Sequence, residues 1–280
     1  MTGRFASYDG TQLGIHVRGD GPPLVCLPGG PGRGAEYLGD LGGLDENRRL
    51  ILLDPRGVGL SDDPADPATF RVDRMTADVD ALRRHLGLER MDLLAHSAGA
   101  ILATLYAAAH PDRIARLVLV TPGLATVGVD ASEQDFQAVL ERRSAEPWYP
   151  AARAALAEIQ AGSLSVETFA ASRPLFYGRW DDTARAHATA GVADRHQAER
   201  LGYFDGFELD PDAVSSGLSR LGGPTLLYAG DEDPLVTPAM VRQAALLFPD
   251  ASVVVQPGAG HFPWVDDPAA FAAAVRAFLA

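Results

Sequence analysis

Six short apolar runs constrain this chain more than any other feature: Leu24–Leu27, Leu50–Leu53, Met91–Ala95, Leu117–Val120, Thr225–Ala229 and Ser252–Gln256. Most are continuous rather than alternating. A strand covered on both faces has no polar side to alternate with, so a short continuous run reads as a buried parallel strand. Helix-like segments fall between several of them, at Arg74–His85, Ala100–Ala109, Pro238–Leu247 and Pro268–Leu279. Asp73 and Thr237 are the expected N-caps, and Pro238 suits a first helical position because its missing N–H would have no partner there anyway. Strand and helix alternating in this way predict an α/β fold built on a mostly parallel, doubly wound sheet. Phe5–Tyr8 and Thr11–Val17, joined through Asp9-Gly10, read as an antiparallel hairpin leading into it.

The alternation stops for a long stretch. Helices are expected near Ser132–Ser144, Trp148–Ala161, Ser165–Ser172 and Thr183–Leu201, with no strand-like run among them. This pattern predicts a core made of residues 1–124 and 211–280, with a helical lid, residues 125–210, inserted in it. Aromatic residues of the insert, among them Phe169, Phe176, Tyr177 and Trp180, divide between packing of lid on core and an apolar substrate pocket.

The 280 residues carry a formal net charge of −13, which argues against nucleic acid or an anionic membrane as partner, since both need a basic face. Cys26 is the one cysteine, so no intrachain disulfide can form. Met1–Gly10 lacks the charged-then-apolar pattern of a signal peptide, and no apolar run reaches the roughly 20 residues that span a bilayer. A cytoplasmic protein is expected. No heptad or extended apolar stripe speaks to its oligomeric state.

The chemistry is concentrated in a few segments. Ala95-His96-Ser97-Ala98-Gly99 sits between an apolar run and a helix-like one. A serine on a sharp strand-to-helix turn is pushed into an exposed position, and small neighbours let strand and helix backbones approach. The helix that follows aims its first N–H groups where negative charge develops on a reacting carbonyl. Ser97 is therefore a candidate nucleophile, and it needs a base, with an acid to orient that base.

Of the seven histidines, His261 follows the last apolar run on the glycine-rich loop Gly258-Ala259-Gly260-His261 and is the candidate base. His96 adjoins the serine and is expected to shape the turn or to line a pocket. Three carboxylates, Asp231, Glu232 and Asp233, follow Thr225–Ala229 and compete for the acid's place. Pro28-Gly29-Gly30-Pro31-Gly32 follows the first apolar run, where close backbone approach would supply one oxyanion donor, the N–H of Gly30; the other would be the N–H of Ala98. Asp54-Pro55-Arg56-Gly57-Val58-Gly59-Leu60-Ser61 reads as a loop that buttresses this turn. No phosphate-cradling pattern is completed and no residue cluster has metal-ligand spacing, so neither cofactor nor metal is expected.

Together these residues resemble the α/β-hydrolase superfamily. The chain looks most like the proline iminopeptidase branch and its unassigned serine hydrolase relatives. Gly29-Gly30-Pro31-Gly32, Asp54–Ser61 and Gly260-His261 carry the resemblance. The chain departs from the family pattern at Pro28 (histidine), Pro55 (glutamine), Ala95 (glycine) and Ala98 (tryptophan). The resemblance implies an acyl-enzyme route with Ser97 as nucleophile and His261 as base. It selects Asp233, three residues after Gly230, as the acid; Asp231 is the second choice and Glu232 is expected to face water. It also implies that lid residues hold the substrate's amino group: Trp180 and Asp181 resemble a family Trp-Glu segment, and Glu199 precedes the aromatic pair Tyr203-Phe204, one residue out of the family's offset. The expected activity is hydrolysis of a small-molecule ester, amide or thioester. The alternative is a ligand-binding or receptor protein on the same scaffold.

Overall fold

The computed structural model describes residues 1–130, 132–162, 165–190 and 201–280. Eight strands form one sheet: β1 (Thr2–Ala6), β2 (Gln12–Arg18), β3 (Pro23–Leu27), β4 (Arg49–Leu53), β5 (Met91–His96), β6 (Ile114–Val120), β7 (Thr225–Gly230) and β8 (Ala251–Gln256). Their spatial order is β1-β2-β4-β3-β5-β6-β7-β8. The β1–β2 and β2–β4 pairs are antiparallel and all others are parallel.

The continuous apolar runs follow from burial on both sides. Along β3, Val25 and Leu27 join one core cluster while Leu24 and Cys26 join the other, and all four are buried. The first cluster is covered by α1 (Val72–His85), α2 (Ala98–Ala109), α7 (Pro211–Leu218) and α8 (Pro238–Ala245). The second is covered by α9 (Pro268–Leu279), by α6 (Asp182–Thr189) and by the loop carrying Tyr37 and Leu38. Burying a leucine or isoleucine side chain stabilises by roughly 1.5–3 kcal/mol, so the two faces rather than any single bond hold the sheet. Between β6 and β7 lie α3 (Glu133–Glu141), α4 (Tyr149–Gln160), α5 (Val166–Ser172), α6 and α7. Phe136, Leu140, Tyr149, Leu156 and Leu175 form a third, separate cluster there. Ser132, Ser165 and Asp181 cap α3, α5 and α6 by accepting from Asp135, Thr168 and Ala184 N–H. Among the described residues no helix is long and apolar enough to cross a membrane.

Several local expectations need correction. The first strand ends at Ala6, because Ser7 and Gly10 close the turn: Ser7 N–H donates to Thr11 O at 2.8 Å and Gly10 N–H to Ser7 O at 3.1 Å. Asp73 is not the cap of α1. Val72 already opens the helix and Asp73 lies in its first turn, where it accepts two hydrogen bonds from the Arg71 guanidinium at 2.6 and 3.0 Å. The helix expected over Thr183–Leu201 stops at Thr189, with Ala190 extended at ψ 138°; residues 191–200 lie outside the described residues. Thr237 does cap α8, accepting from Met240 N–H, with Pro238 at its first turn.

Candidate active site

Ser97 joins β5 to α2 with φ 53° and ψ −120°, a conformation that non-glycine residues rarely adopt. The surrounding structure holds it there. Ser97 N–H donates to Val120 O at 3.0 Å, and Ser97 O accepts from Ala100 N–H at 3.0 Å and Gly123 N–H at 2.9 Å. The close approach explains the small residues of the motif: a Cβ on Gly99 would lie 2.3 Å from Pro28 O. Ala95, at the motif's first position, is fully buried in β5 between β3 and β6.

Three side chains from three loops meet at this turn. His261 Nε2 lies 2.9 Å from Ser97 Oγ, and His261 Nδ1 lies 2.8 Å from Asp233 Oδ2. Asp233 is wholly buried, and its second oxygen accepts the Leu235 N–H at 2.9 Å. With a carboxylate at Nδ1, that nitrogen carries the proton and Nε2 is left as the acceptor for the serine hydroxyl. Of the other two carboxylates, Asp231 accepts the Gly258 N–H at 2.6 Å, tying the two loops together. Glu232 is half-buried rather than solvent-facing, because Arg142 from beyond α3 lies over it at 3.9 Å.

The loop after β3 lies against Ser97: a Cβ on Gly29 would be 2.8 Å from Ser97 Cβ. Gly30 has φ 138°, open to glycine alone among ordinary residues, and lines the pocket beside the serine. Ala98 is the first residue of α2, so its N–H has no partner within the helix. Asp54 buttresses this loop from below. It is fully buried, accepting from Ala35 N–H at 2.7 Å, Leu60 N–H at 2.9 Å and His16 Nε2 at 2.8 Å. Arg56 is buried beside it and paired with Asp78 and Asp9.

A residue absent from the sequence reading ties these parts together. Gly29 N–H donates to Tyr37 Oη at 2.6 Å, and the Tyr37 hydroxyl donates to His96 Nδ1 at 2.7 Å. His96 Nε2–H donates to the main-chain carbonyl of His261 at 2.9 Å, which also accepts from Thr121 Oγ1 at 3.0 Å. Burial, followed by the neighbouring His261, holds the His96 pKa well below the ordinary histidine value, so His96 is neutral and can accept and donate at once. Tyr37→Phe would leave Gly29 N–H and His96 Nδ1 buried without partners. We expect it to lose about 1–3 kcal/mol of stability, read as a lower urea midpoint. An unchanged midpoint would mean that the chain of bonds contributes nothing to holding the loop.

His261 is held from the other side as well. Its N–H donates to Phe176 O at 2.8 Å. Buried Asp266 accepts from Gly260 N–H at 2.8 Å and from Gly178 N–H at 2.9 Å, so one carboxylate joins the histidine loop to the helical block. Nothing in the local sequence around Asp266 marks this role.

Ser97 and His261 open into a pocket of about 250 Å³. Phe169, Phe176, Tyr177 and Phe262 give it apolar walls, His96 lies on its floor, and Arg33 and Arg173 supply its charge. Trp180 and Asp181 do not face it. Trp180 packs on Tyr177 with ring centroids 5.5 Å apart, and Asp181 is turned outward to cap α6 and to pair with Arg179 at 3.4 Å. Tyr203 lies behind the serine turn, where its hydroxyl donates to Ala98 O at 2.8 Å and its own carbonyl accepts the Val72 N–H. It braces α2 rather than lining the pocket. Glu199 lies outside the described residues. Among the described residues no cluster of His, Cys, Asp or Glu could hold a metal ion.

Comparison with known proteins agrees with this architecture. The sequence profile described as alpha/beta hydrolase fold matches residues 22–268. The chain is similar to a proline iminopeptidase from Levilactobacillus brevis, 27% identical over 92% of this chain and 88% of that protein. It is similar to a proline iminopeptidase from Heyndrickxia coagulans, 25% identical over 93% of this chain and 91% of that one. Among solved structures it resembles an esterase from Rhodococcus sp. ECU1013, with TM-score 0.74 and 25% identity over 99% of this chain and 98% of the other.

Proposed function

The chain belongs to the alpha/beta hydrolase fold family, and on that footing we propose that it is a serine hydrolase that cleaves a small-molecule ester, amide or thioester through an acyl-enzyme on Ser97. The observation that carries this reading is the unbroken hydrogen-bonded chain from Ser97 Oγ through His261 to Asp233, at 2.9 and 2.8 Å. His261 Nε2 takes the hydroxyl proton as Oγ adds to the substrate carbonyl. Asp233 stabilises the imidazolium through Nδ1–H. The N–H groups of Ala98 and Gly30 receive the oxyanion; one such donor is typically worth about 10²–10³ in kcat. The protonated His261 then gives its proton to the departing alcohol, amine or thiol, leaving the acyl group on Ser97. Water, deprotonated by the same nitrogen, adds to the acyl carbonyl. Collapse of that intermediate frees the acid and returns the proton to Oγ.

Residues 125–210 act as a lid in this reading, since Phe169, Arg173, Phe176 and Tyr177 wall the pocket. The purely ligand-binding alternative is disfavoured, because nucleophile, base and acid are all present and aligned for proton transfer. A cytoplasmic setting is in keeping with a single cysteine buried in β3.

Rapid mixing with p-nitrophenyl acetate tests the reading. With an activated leaving group, acylation outruns deacylation, so a burst of about one p-nitrophenolate per protein should precede the steady rate. Folded protein that releases p-nitrophenolate no faster than buffer would favour the ligand-binding alternative.

A further inference from the structure

Among the described residues, the charged side chains of the pocket are of opposite sign to the chain's net charge. The protein has 37 acidic side chains against 24 basic ones, yet among the described residues the pocket beside Ser97 is lined by Arg33 and Arg173 and by no carboxylate. Arg173 begins the helical turn Arg173–Phe176 that follows α5. Phe169 and Phe176, close to it in the chain, line the same pocket. Where the other arginines of this site region meet acids or carbonyls (Arg142 with Glu232, Arg143 with Tyr177 O), the Arg173 guanidinium has no hydrogen-bond or ion-pair partner among the described residues, only its main-chain N–H being engaged, with Ala170 O.

Arg33 is buried and built in. Its guanidinium lies 3.6 Å from the Tyr37 ring centre and donates to Ala190 O at 3.2 Å. Its field is felt nearby: burial, then the Arg33 charge, pushes His187 down to about 4, so the histidine packed between Tyr37 and Tyr177 stays neutral. The cationic character of the pocket therefore comes from the arginines. An arginine fork in a largely apolar pocket matches a carboxylate, and it opposes the ammonium group of an aminopeptidase substrate.

We propose that the substrate is a small ester carrying a free carboxylate, and that Arg173, reinforced by the field of Arg33, is the residue that selects it. The inference rests on the hydrolase reading for its reaction and on the pocket for its specificity. A cavity of about 250 Å³ has room for a short diacid half-ester.

Two measurements separate the inference from the reading beneath it. The first compares kcat/KM for mono-(4-nitrophenyl) glutarate with that for its neutral methyl ester. The free acid should be preferred about 10- to 100-fold, the worth of one charge-assisted hydrogen bond. The preference should collapse towards unity in Arg173→Gln and invert in Arg173→Glu. Hydrolysis of both esters with no preference, or a preference that survives Arg173→Gln, would overturn the inference and leave the hydrolase reading standing. The second measures binding of monomethyl and dimethyl glutarate to Ser97→Ala by calorimetry. Selective binding of the monoester that is lost on adding Arg173→Gln supports the inference even if neither ester turns over in the wild type, in which case the hydrolase reading alone falls. Equal affinity for the two would overturn the inference.

Discussion

Ser97→Ala is expected to lower kcat for a p-nitrophenyl ester by about 10⁶, the scale seen when a serine hydrolase loses its nucleophile. In the proposed mechanism Ser97 Oγ forms the acyl bond, and its neighbour His96 is engaged with Tyr37 and His261 O. Stability should barely change. The main-chain bonds that hold the turn, from Ser97 N–H to Val120 O and from Ala100 and Gly123 to Ser97 O, do not involve Oγ. The check is therefore paired: turnover and the urea midpoint on one preparation. A loss of turnover accompanied by unfolding would say nothing of chemistry, whereas near-normal turnover in folded protein would remove Ser97 from the mechanism.

Asp233→Asn should lower kcat by about 10⁴, and the local hydrogen bonds give the reason. One Asp233 oxygen accepts the Leu235 N–H at 2.9 Å and the other faces His261 Nδ1 at 2.8 Å. An asparagine in this position must keep its oxygen towards Leu235, since an amide NH₂ there would meet another donor. Its NH₂ then points at Nδ1 and forces the opposite imidazole tautomer. Nε2 becomes a donor and can no longer take the serine proton. Shape and packing are conserved, so KM should move far less than kcat. Activity close to wild type would transfer the acid's role elsewhere, with Asp231 the first place to look.

The parts of this architecture legible in sequence are those that rest on local patterns. Buried strands such as Leu24–Leu27 are written as continuous apolar runs because both faces of the sheet are covered. The Thr237-Pro238 start of α8 follows from capping chemistry that is confined to a few residues. The order of Ser97, Asp233 and His261, each after its own strand, is likewise a chain-order signal.

The rest depends on contacts between distant segments. Tyr37 is one aromatic among many until the fold brings it to Gly29 and His96. Asp73 has an N-cap's residue type, but Val72 N–H finds its acceptor in Tyr203 O, more than a hundred residues away, so the helix starts earlier. Asp181 resembles a substrate-binding acid by its neighbour Trp180, yet it serves its own helix as a cap. Asp210-Pro211 carried the same start signal as Thr237-Pro238, and α7 could have been read from it. Arg33 and Arg173 are ordinary arginines in sequence. Only their convergence on one pocket gives them meaning.

The central claim is that Ser97 is a nucleophile activated by His261 and Asp233. Intact-protein mass spectrometry after incubation with a small neutral fluorophosphonate tests it most directly. The account predicts a single adduct, located on the peptide carrying Ser97, absent in Ser97→Ala and formed far more slowly in His261→Ala. Folded wild-type protein that forms no adduct, or forms it on another residue, would contradict the account.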